Sequence, residues 1–252
     1  MKNPITSLNR KVSNGKPPVC AITAYDYPTA RLIDEVGVDL ILVGDSLGMV
    51  VLGYPDTTHV TLSHMTHHIE AVSRGAKNTL ILGDLPINTY NTPEQALETA
   101  KALTKAGADA VKLEGGRDQA EQIQVILSEA IPVIGHLGML PQQVKEEGGY
   151  KKKGKTENQA QALIDDALCL QELGCSAIIL ESVISPVAQE ITSQLHIPLI
   201  GIGCGNAKCD GEVAVITDVV GSYPWFVPPF ANPRASVAED IKRAVSEYKN
   251  TL

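Results

Sequence analysis

Long apolar runs are missing from this sequence. No stretch approaches the ~18–20 residues needed to span a bilayer. The opening residues, MKNPITSLNRKVSNGK, lack the apolar segment of a secretory signal. Both absences lead us to expect a cytoplasmic protein with no membrane partner. Basic excess is missing as well: the net charge is −8 over 252 residues, which argues against general binding to nucleic acid. Cysteine is scarce and odd in number. Cys20, Cys169, Cys175, Cys204 and Cys209 are scattered, as reduced thiols would be. Cys204 and Cys209 lie five apart with no partner pair at zinc-finger spacing, so they read as structural or incidental. Bulky aromatics are nearly absent. The single Trp and both Phe residues (Trp225, Phe226, Phe230) fall in one proline-rich stretch, SYPWFVPPFANP over 222–233. Its prolines hold it extended or turned. A core edge or subunit interface is the default reading, and stacking on a flat ligand is the alternative.

What is present is a rhythm. Short β-branched apolar runs recur at 18–25, 39–45, 79–85, 109–115, 132–138, 177–182 and 197–203, with a weaker eighth at 213–218. Such continuous runs suit strands covered on both faces. Helical segments lie between them. Thr92-Pro93-Glu94-Gln95 reads as a capping box with proline at the first helical position, and Gly107 closes that helix. A second helix runs from a Thr156 cap to Gly174, another opens at Ser185-Pro186, and a last one covers 234–249. Eight strands alternating with helices predict a single (β/α)8 TIM barrel over 1–252, with residues 1–17 as a helical extension. A doubly wound sheet is the runner-up.

Five of the strands end on, or just before, an ionisable side chain: Asp45, Asp84, Glu114, His136 and Glu181. Lys112 precedes Glu114 by two, so both share one strand face. In an α/β barrel these ends converge at the mouth, where active sites lie. Taken singly, each has a plainer explanation. An Asp after a strand is commonly a turn or cap residue, a Lys–Glu pair can be structural, and a lone His can be a satisfied core residue. Taken together, converging acids repel unless a cation offsets them. Carboxylates suit a hard ion such as Mg²⁺, which takes one or two of them and keeps waters and substrate oxygens.

Three other features rank lower. His64, His67 and His68 share one helix face but lack an acid that completes a zinc motif, so a polar helix surface is favoured. GIGCGNAKCDG, over 201–211, has Asn206 where a dinucleotide fingerprint needs its third glycine. The run KKKGK, over 151–155, reads as a solvated loop, with a lid or anion clamp as the alternative.

Several blocks in order resemble the ketopantoate hydroxymethyltransferase family: VGDSLGMVVLGY (43–54), GDLP (83–86), VKLEGG (111–116), GHLGMLPQ (135–142), GGYKKKGK (148–155), LES (180–182) and GIGCGNAKCDGE (201–212). The resemblance implies a Mg²⁺-dependent barrel enzyme of pantothenate (coenzyme A precursor) biosynthesis. It implies hydroxymethyl transfer from 5,10-methylenetetrahydrofolate to 3-methyl-2-oxobutanoate, giving 2-dehydropantoate through a metal-stabilised enolate. Carried over by position, Asp45 and Asp84 match metal ligands that also contact substrate. Glu114 matches an acid of the metal shell, directly or through water. Ser46 and Lys112 match groups that hold the oxo acid, Glu181 matches the catalytic base, and His136 takes a supporting polar role at the substrate. The family also implies a homodecamer. His59, Leu140 and Glu212 depart from the usual proline, threonine and glutamine, and 225–230 lacks the usual lysines; none replaces an assigned catalytic group. A rival is a barrel like the phosphoenolpyruvate mutase and isocitrate lyase group. A phosphorylated or dicarboxylate substrate would call for arginines at the mouth, and Arg117 is the only one between residues 75 and 233. A barrel without catalysis is the rival of another class, and retention of every assigned ionisable residue argues against it.

Overall fold

A computed structural model describes residues 5–8 and 11–252. Eight parallel strands close into a barrel in sequence order: β1 (Val19–Thr23), β2 (Leu40–Val43), β3 (Leu80–Asp84), β4 (Ala110–Glu114), β5 (Val133–Gly138), β6 (Ala177–Glu181), β7 (Leu199–Ile202) and β8 (Gly211–Ala214). The TIM barrel expected from the alternating pattern is the fold observed. Helices follow the strands: α1 (Tyr27–Val36), α2 (Leu47–Val50), α3 (Leu62–Gly75), α4 (Pro93–Ala106), α5 (Ala120–Ser128), α6 (Glu157–Leu173), α7 (Ser185–Gln194), α8 (Ile216–Val220) and α9 (Val237–Lys249).

The caps explain several boundaries. Thr92 accepts a hydrogen bond from the Gln95 N–H at the start of α4, which is half of the expected box. Thr156 does the same for α6, and Gly107 and Gly174 end these two helices in the left-handed conformation. The full capping box belongs to α3. There Thr61 and His64 exchange side-chain bonds with each other's backbone N–H, at 3.3 and 3.2 Å. His68 Nδ1 lies 2.6 Å from the Tyr25 carbonyl. The histidine face is thus occupied by capping and packing.

The eighth strand corrects an expectation. It covers Gly211–Ala214, and most of the apolar run read as strand over 213–218 belongs to the turn and α8. Pairing is fixed upstream of that run, through Ile200↔Gly211 and Gly201↔Glu212. A Cβ on Gly211 would stand 2.5 Å from the Val19 carbonyl oxygen, so closure against β1 selects glycine there at the expense of strand-like composition.

The barrel interior is filled by residues of one parity: Val19 and Ala21, Leu40 and Leu42, Leu80 and Leu82, Ala110, Ile134, Ala177 and Ile179, Ile200, Val213. Each large member contributes about 1.5–3 kcal/mol on burial. Leu8 joins this core and is fully buried. It lies in a 3₁₀ turn, Ile5–Leu8, and a second such turn covers Val12–Asn14. Residues 1–4, 9 and 10 of the expected extension lie outside the described residues.

The chain divides into two compact units, 1–213 and 214–252. The second contains α8, α9 and the aromatic stretch, in which Trp225, Phe226 and Phe230 are exposed. Tyr223 and Trp225 pack edge to face at 5.2 Å. Helix α9 has no buried residue. Among the described residues no helix is long and apolar enough to cross a membrane.

Candidate active site

The inward parity that fills the barrel with apolar side chains changes character at the C-terminal strand ends. Two residues beyond Leu82 comes Asp84; beyond Ala110 come Lys112 and Glu114; beyond Ile134 comes His136; beyond Ile179 comes Glu181. Strand register aligns them, with Asp84 beside Lys112 and Glu114 beside His136. Alternation within a strand and register between strands therefore place five ionisable groups in one layer above an apolar core. Asp45 and Ser46 arrive differently, on the turn after β2 that leads into α2.

The contacts run continuously across this layer. The Asp45 backbone N–H donates to Asp84 Oδ2 at 3.2 Å. Asp84 Oδ1 lies 2.8 Å from Lys112 Nζ, which is also 3.9 Å from Glu114 Oε1 and 3.1 Å from His136 Nδ1. His136 Nε2 lies 3.3 Å from Glu181 Oε2. An ammonium only donates, so His136 Nδ1 accepts from Lys112 and the ring proton sits on Nε2, facing Glu181. Ser46 stands apart from this chain of contacts: its Oγ is 2.8 Å from the Tyr25 hydroxyl.

Two oxygens and one nitrogen remain without a hydrogen bond although buried: Asp84 Oδ1, Glu114 Oε1 and His136 Nε2. All three are nonetheless within ion-pair distance of neighbours: Asp84 Oδ1 of Lys112, Glu114 Oε1 of Lys112 and His136, and His136 Nε2 of Glu181. Orphaned buried groups are costly, and they cluster here.

The charges feel one another. Burial, then Asp84, pushes the Asp45 carboxyl well above the usual range, with Lys112 opposing. Burial likewise raises Glu114. Burial alone would pull the Lys112 ammonium down, but Asp84, Glu114 and Asp45 outweigh it and hold Lys112 firmly charged. His136 is pushed down by burial and by Lys112, so it is neutral. Burial raises Glu181, and the His136 contact partly offsets this. Groups with opposed perturbations at a barrel mouth mark a functional site.

Among the described residues no three His, Cys, Asp or Glu side chains converge as a ready-made metal cage. The carboxylates converge instead on Lys112. The orphaned oxygens of Asp84 and Glu114 are hard donors, and Mg²⁺ needs only one or two carboxylates, so the residues fit such an ion.

The surrounding loops are fastened. A Cβ on Gly138 would stand 2.2 Å from the Glu181 carbonyl oxygen, and its φ is +97°, so only glycine allows β5 to pass this close to Glu181. Ser182 follows Glu181 at φ +51°, a strained conformation for a side-chain-bearing residue. The 151–155 run is tied down: the Lys153 N–H donates to the Ser182 carbonyl, and its Nζ reaches Glu147 Oε2 at 2.5 Å. Arg117 is exposed and pairs with Asp166 at 2.8 Å, away from the acids. Cys204 donates to the Leu180 carbonyl.

Two residues that sequence reasoning passed over join the site. Gln142 Nε2 donates to Asp45 Oδ2 at 3.0 Å and to the Leu85 carbonyl at 2.9 Å, while its backbone N–H donates to Glu114 Oε2 at 3.1 Å. The Tyr90 hydroxyl donates to Gln142 Oε1 at 2.5 Å. Gln142 closes the GHLGMLPQ block, and that is the only signal it offered.

A family model described as ketopantoate hydroxymethyltransferase matches residues 2–252. The chain is 47% identical over 245 residues to the 3-methyl-2-oxobutanoate hydroxymethyltransferase of Syntrophus aciditrophicus strain SB, covering 96% of this chain and 90% of that protein. It is also 47% identical to the enzyme of that name from Pyrobaculum aerophilum, covering 98% and 95%. Among solved structures, 2,3-dimethylmalate lyase, of the PEP mutase/isocitrate lyase superfamily, superposes with a TM-score of 0.63 at 17% identity, over 84% of this chain and 81% of that one. Phosphonopyruvate hydrolase superposes with a TM-score of 0.64 at 14% identity, over 88% and 84%. These two likenesses concern the fold.

Proposed function

Since the chain belongs to the ketopantoate hydroxymethyltransferase family, we propose that it transfers a hydroxymethyl group from 5,10-methylenetetrahydrofolate to 3-methyl-2-oxobutanoate. The products would be 2-dehydropantoate, a precursor of pantothenate and coenzyme A, and tetrahydrofolate. The observation that supports this best is the separation of Glu181 from the other acids. Asp84 and Glu114 lie within ion-pair distance of Lys112 and the Asp45 N–H donates to Asp84, while Glu181 lies beside His136, its side chain 16% exposed.

That separation suits removal of a proton from carbon. Asp45 and Asp84, with Glu114 directly or through water, would hold Mg²⁺, which supplies charge stabilisation at the oxo-acid oxygens when bound. Lys112 adds fixed positive charge beside the oxygen on which negative charge develops. Ser46, whose Oγ lies 2.8 Å from the Tyr25 hydroxyl, would hydrogen-bond the same acid. Glu181 takes the C3 proton, and its burial makes it a stronger base than a solvated carboxylate. His136, whose Nε2 lies 3.3 Å from Glu181 Oε2, would help to orient that carboxylate. C3 then bonds to the methylene carbon of the folate. Both bonds from that carbon to the folate nitrogens break, one water supplies the hydroxyl, the C3 proton and the remaining water proton end on the two nitrogens, and tetrahydrofolate leaves.

The same reading carries a cytoplasmic enzyme assembled as a homodecamer. The exposed stripe Ile241, Val245 and Tyr248 on α9 supports association of copies, and a native mass of ten chains is expected. The test of function supplies protein, Mg²⁺ and both substrates, and follows 2-dehydropantoate by mass spectrometry. Product in equal amount to tetrahydrofolate is expected; unchanged substrates would overturn the reading.

A further inference from the structure

The structure assigns a positioning role to Gln142: its amide and its backbone N–H set which oxygens of Asp45 and Glu114 are presented to a bound cation, and Tyr90 locks the amide in place. The inference rests on the cation-holding role given above to Asp45, Asp84 and Glu114.

Gln142 lies in the Pro141–Gln143 turn after β5 and is 4% exposed. Its orientation follows from its partners. The Leu85 carbonyl and the Asp45 carboxylate only accept, so Nε2 must face them and Oε1 must face Tyr90. The reverse orientation would set oxygen against oxygen twice. An amide oxygen only accepts, so the Tyr90 hydroxyl donates to Oε1. Both Nε2 hydrogens and one Oε1 lone pair are therefore in use.

The consequence is a division of the carboxylate oxygens. Gln142 Nε2 holds Oδ2 of Asp45, its backbone N–H holds Oε2 of Glu114, and the Asp45 N–H holds Oδ2 of Asp84. Each acid is held through one oxygen. The opposite oxygens, Asp84 Oδ1 and Glu114 Oε1, have no hydrogen bond and lie 2.8 and 3.9 Å from Lys112 Nζ. A neutral amide suits this task, because it fixes two carboxylates without cancelling the charge that attracts a cation. An arginine or lysine in its place would compete with the ion. Supports behind metal-binding carboxylates are typically worth 10–100-fold in metal affinity.

The test is Mn²⁺ binding in the absence of substrate, followed by electron paramagnetic resonance, for the wild type, Gln142→Leu and Tyr90→Phe. Gln142→Leu removes the amide and keeps the backbone N–H on Glu114. We expect about 10–100-fold weaker Mn²⁺ binding for Gln142→Leu, and a smaller loss in the same direction for Tyr90→Phe. Tyr90→Phe deletes one oxygen, so it decides the matter if Gln142→Leu does not fold. Loss of activity with Mn²⁺ affinity unchanged would mark a merely structural residue and overturn the proposal, while the reading of the acids as cation ligands would stand. A wild type that bound no Mn²⁺ would overturn both.

Discussion

Lys11–Asp210 and Lys112–Asp84 are both buried lysine–aspartate pairs, at 2.6 and 2.8 Å, and they belong to opposite ends of the same barrel. At the N-terminal strand ends, Asp210 Oδ1 accepts from the Val12 N–H, and Oδ2 accepts from Lys11 and from the Leu199 N–H. Lys11 also donates to the Thr192 and Ile197 carbonyls. Asp210 and Lys11 both have several partners, and the pair fastens the segment before β1 to β7 and β8. At the C-terminal ends, Lys112 is shared between Asp84 Oδ1 at 2.8 Å and Glu114 Oε1 at 3.9 Å, and neither oxygen has a hydrogen bond. Burial of charge is common to both pairs. What separates the clasp from the proposed reaction centre is the unspent hydrogen-bonding capacity, which stability alone would select against.

Substitutions can break this comparison from either side. The largest effect is expected from Asp84→Asn. Removing one charge from the crowded acids should lower turnover by about 10²–10³-fold, while midpoints of urea unfolding in metal-free buffer stay at or above the wild-type value. A fall in stability would mean that Asp84 serves the fold as Asp210 does. Lys11→Met should do the reverse: stripping one partner from a satisfied buried pair costs about 3–5 kcal/mol, with turnover per folded molecule unchanged. Equal turnover with no loss of unfolding free energy would remove the clasp. The smallest effect is expected from His136→Gln. Glu181 is raised by burial, lowered by His136 and Lys112, and raised by Glu114. A base must be ionised, so the acid limb of the pH–rate profile lies above the ordinary carboxylate range. Losing the His136 contact raises that pKa further and moves the limb to higher pH, with turnover at pH 8 within about tenfold of wild type. A limb that moves down would break the link between His136 and Glu181.

The two ends also differ in how far they could be read before folding. Asp84, Lys112, Glu114, His136 and Glu181 were legible because each lies at the end of an apolar run, and alternation alone decides the face it shares. The closing strand was legible only as a count. Gly211 and Glu212 lack strand composition because contact with Val19 selects a glycine there, and the apolar residues downstream drew the boundary too late. The clasp could not be foreseen, since Lys11 and Asp210 are 199 residues apart and neither belongs to a periodic pattern. Gln142 and Tyr90 were hidden for the same reason. They sit on loops, their partners are 52 residues or more apart in three of four contacts, and nothing in local spacing announces a bond made by closure of the barrel. Ser182 is harder still: its left-handed backbone reflects the fit of the Lys153 and Ile202 segments around it.

Deuterium exchange at C3 of 3-methyl-2-oxobutanoate tests most directly whether the unsatisfied end is a reaction centre. The oxo acid is incubated in D₂O with Mg²⁺ and either wild type, Glu181→Gln or Lys11→Met, and the C3 signal is followed by proton NMR. Exchange by the wild type and by folded Lys11→Met, with a loss of at least about 10²-fold in Glu181→Gln while that variant still binds the acid, is the predicted result. Background exchange by the wild type, or wild-type exchange by Glu181→Gln, would contradict it.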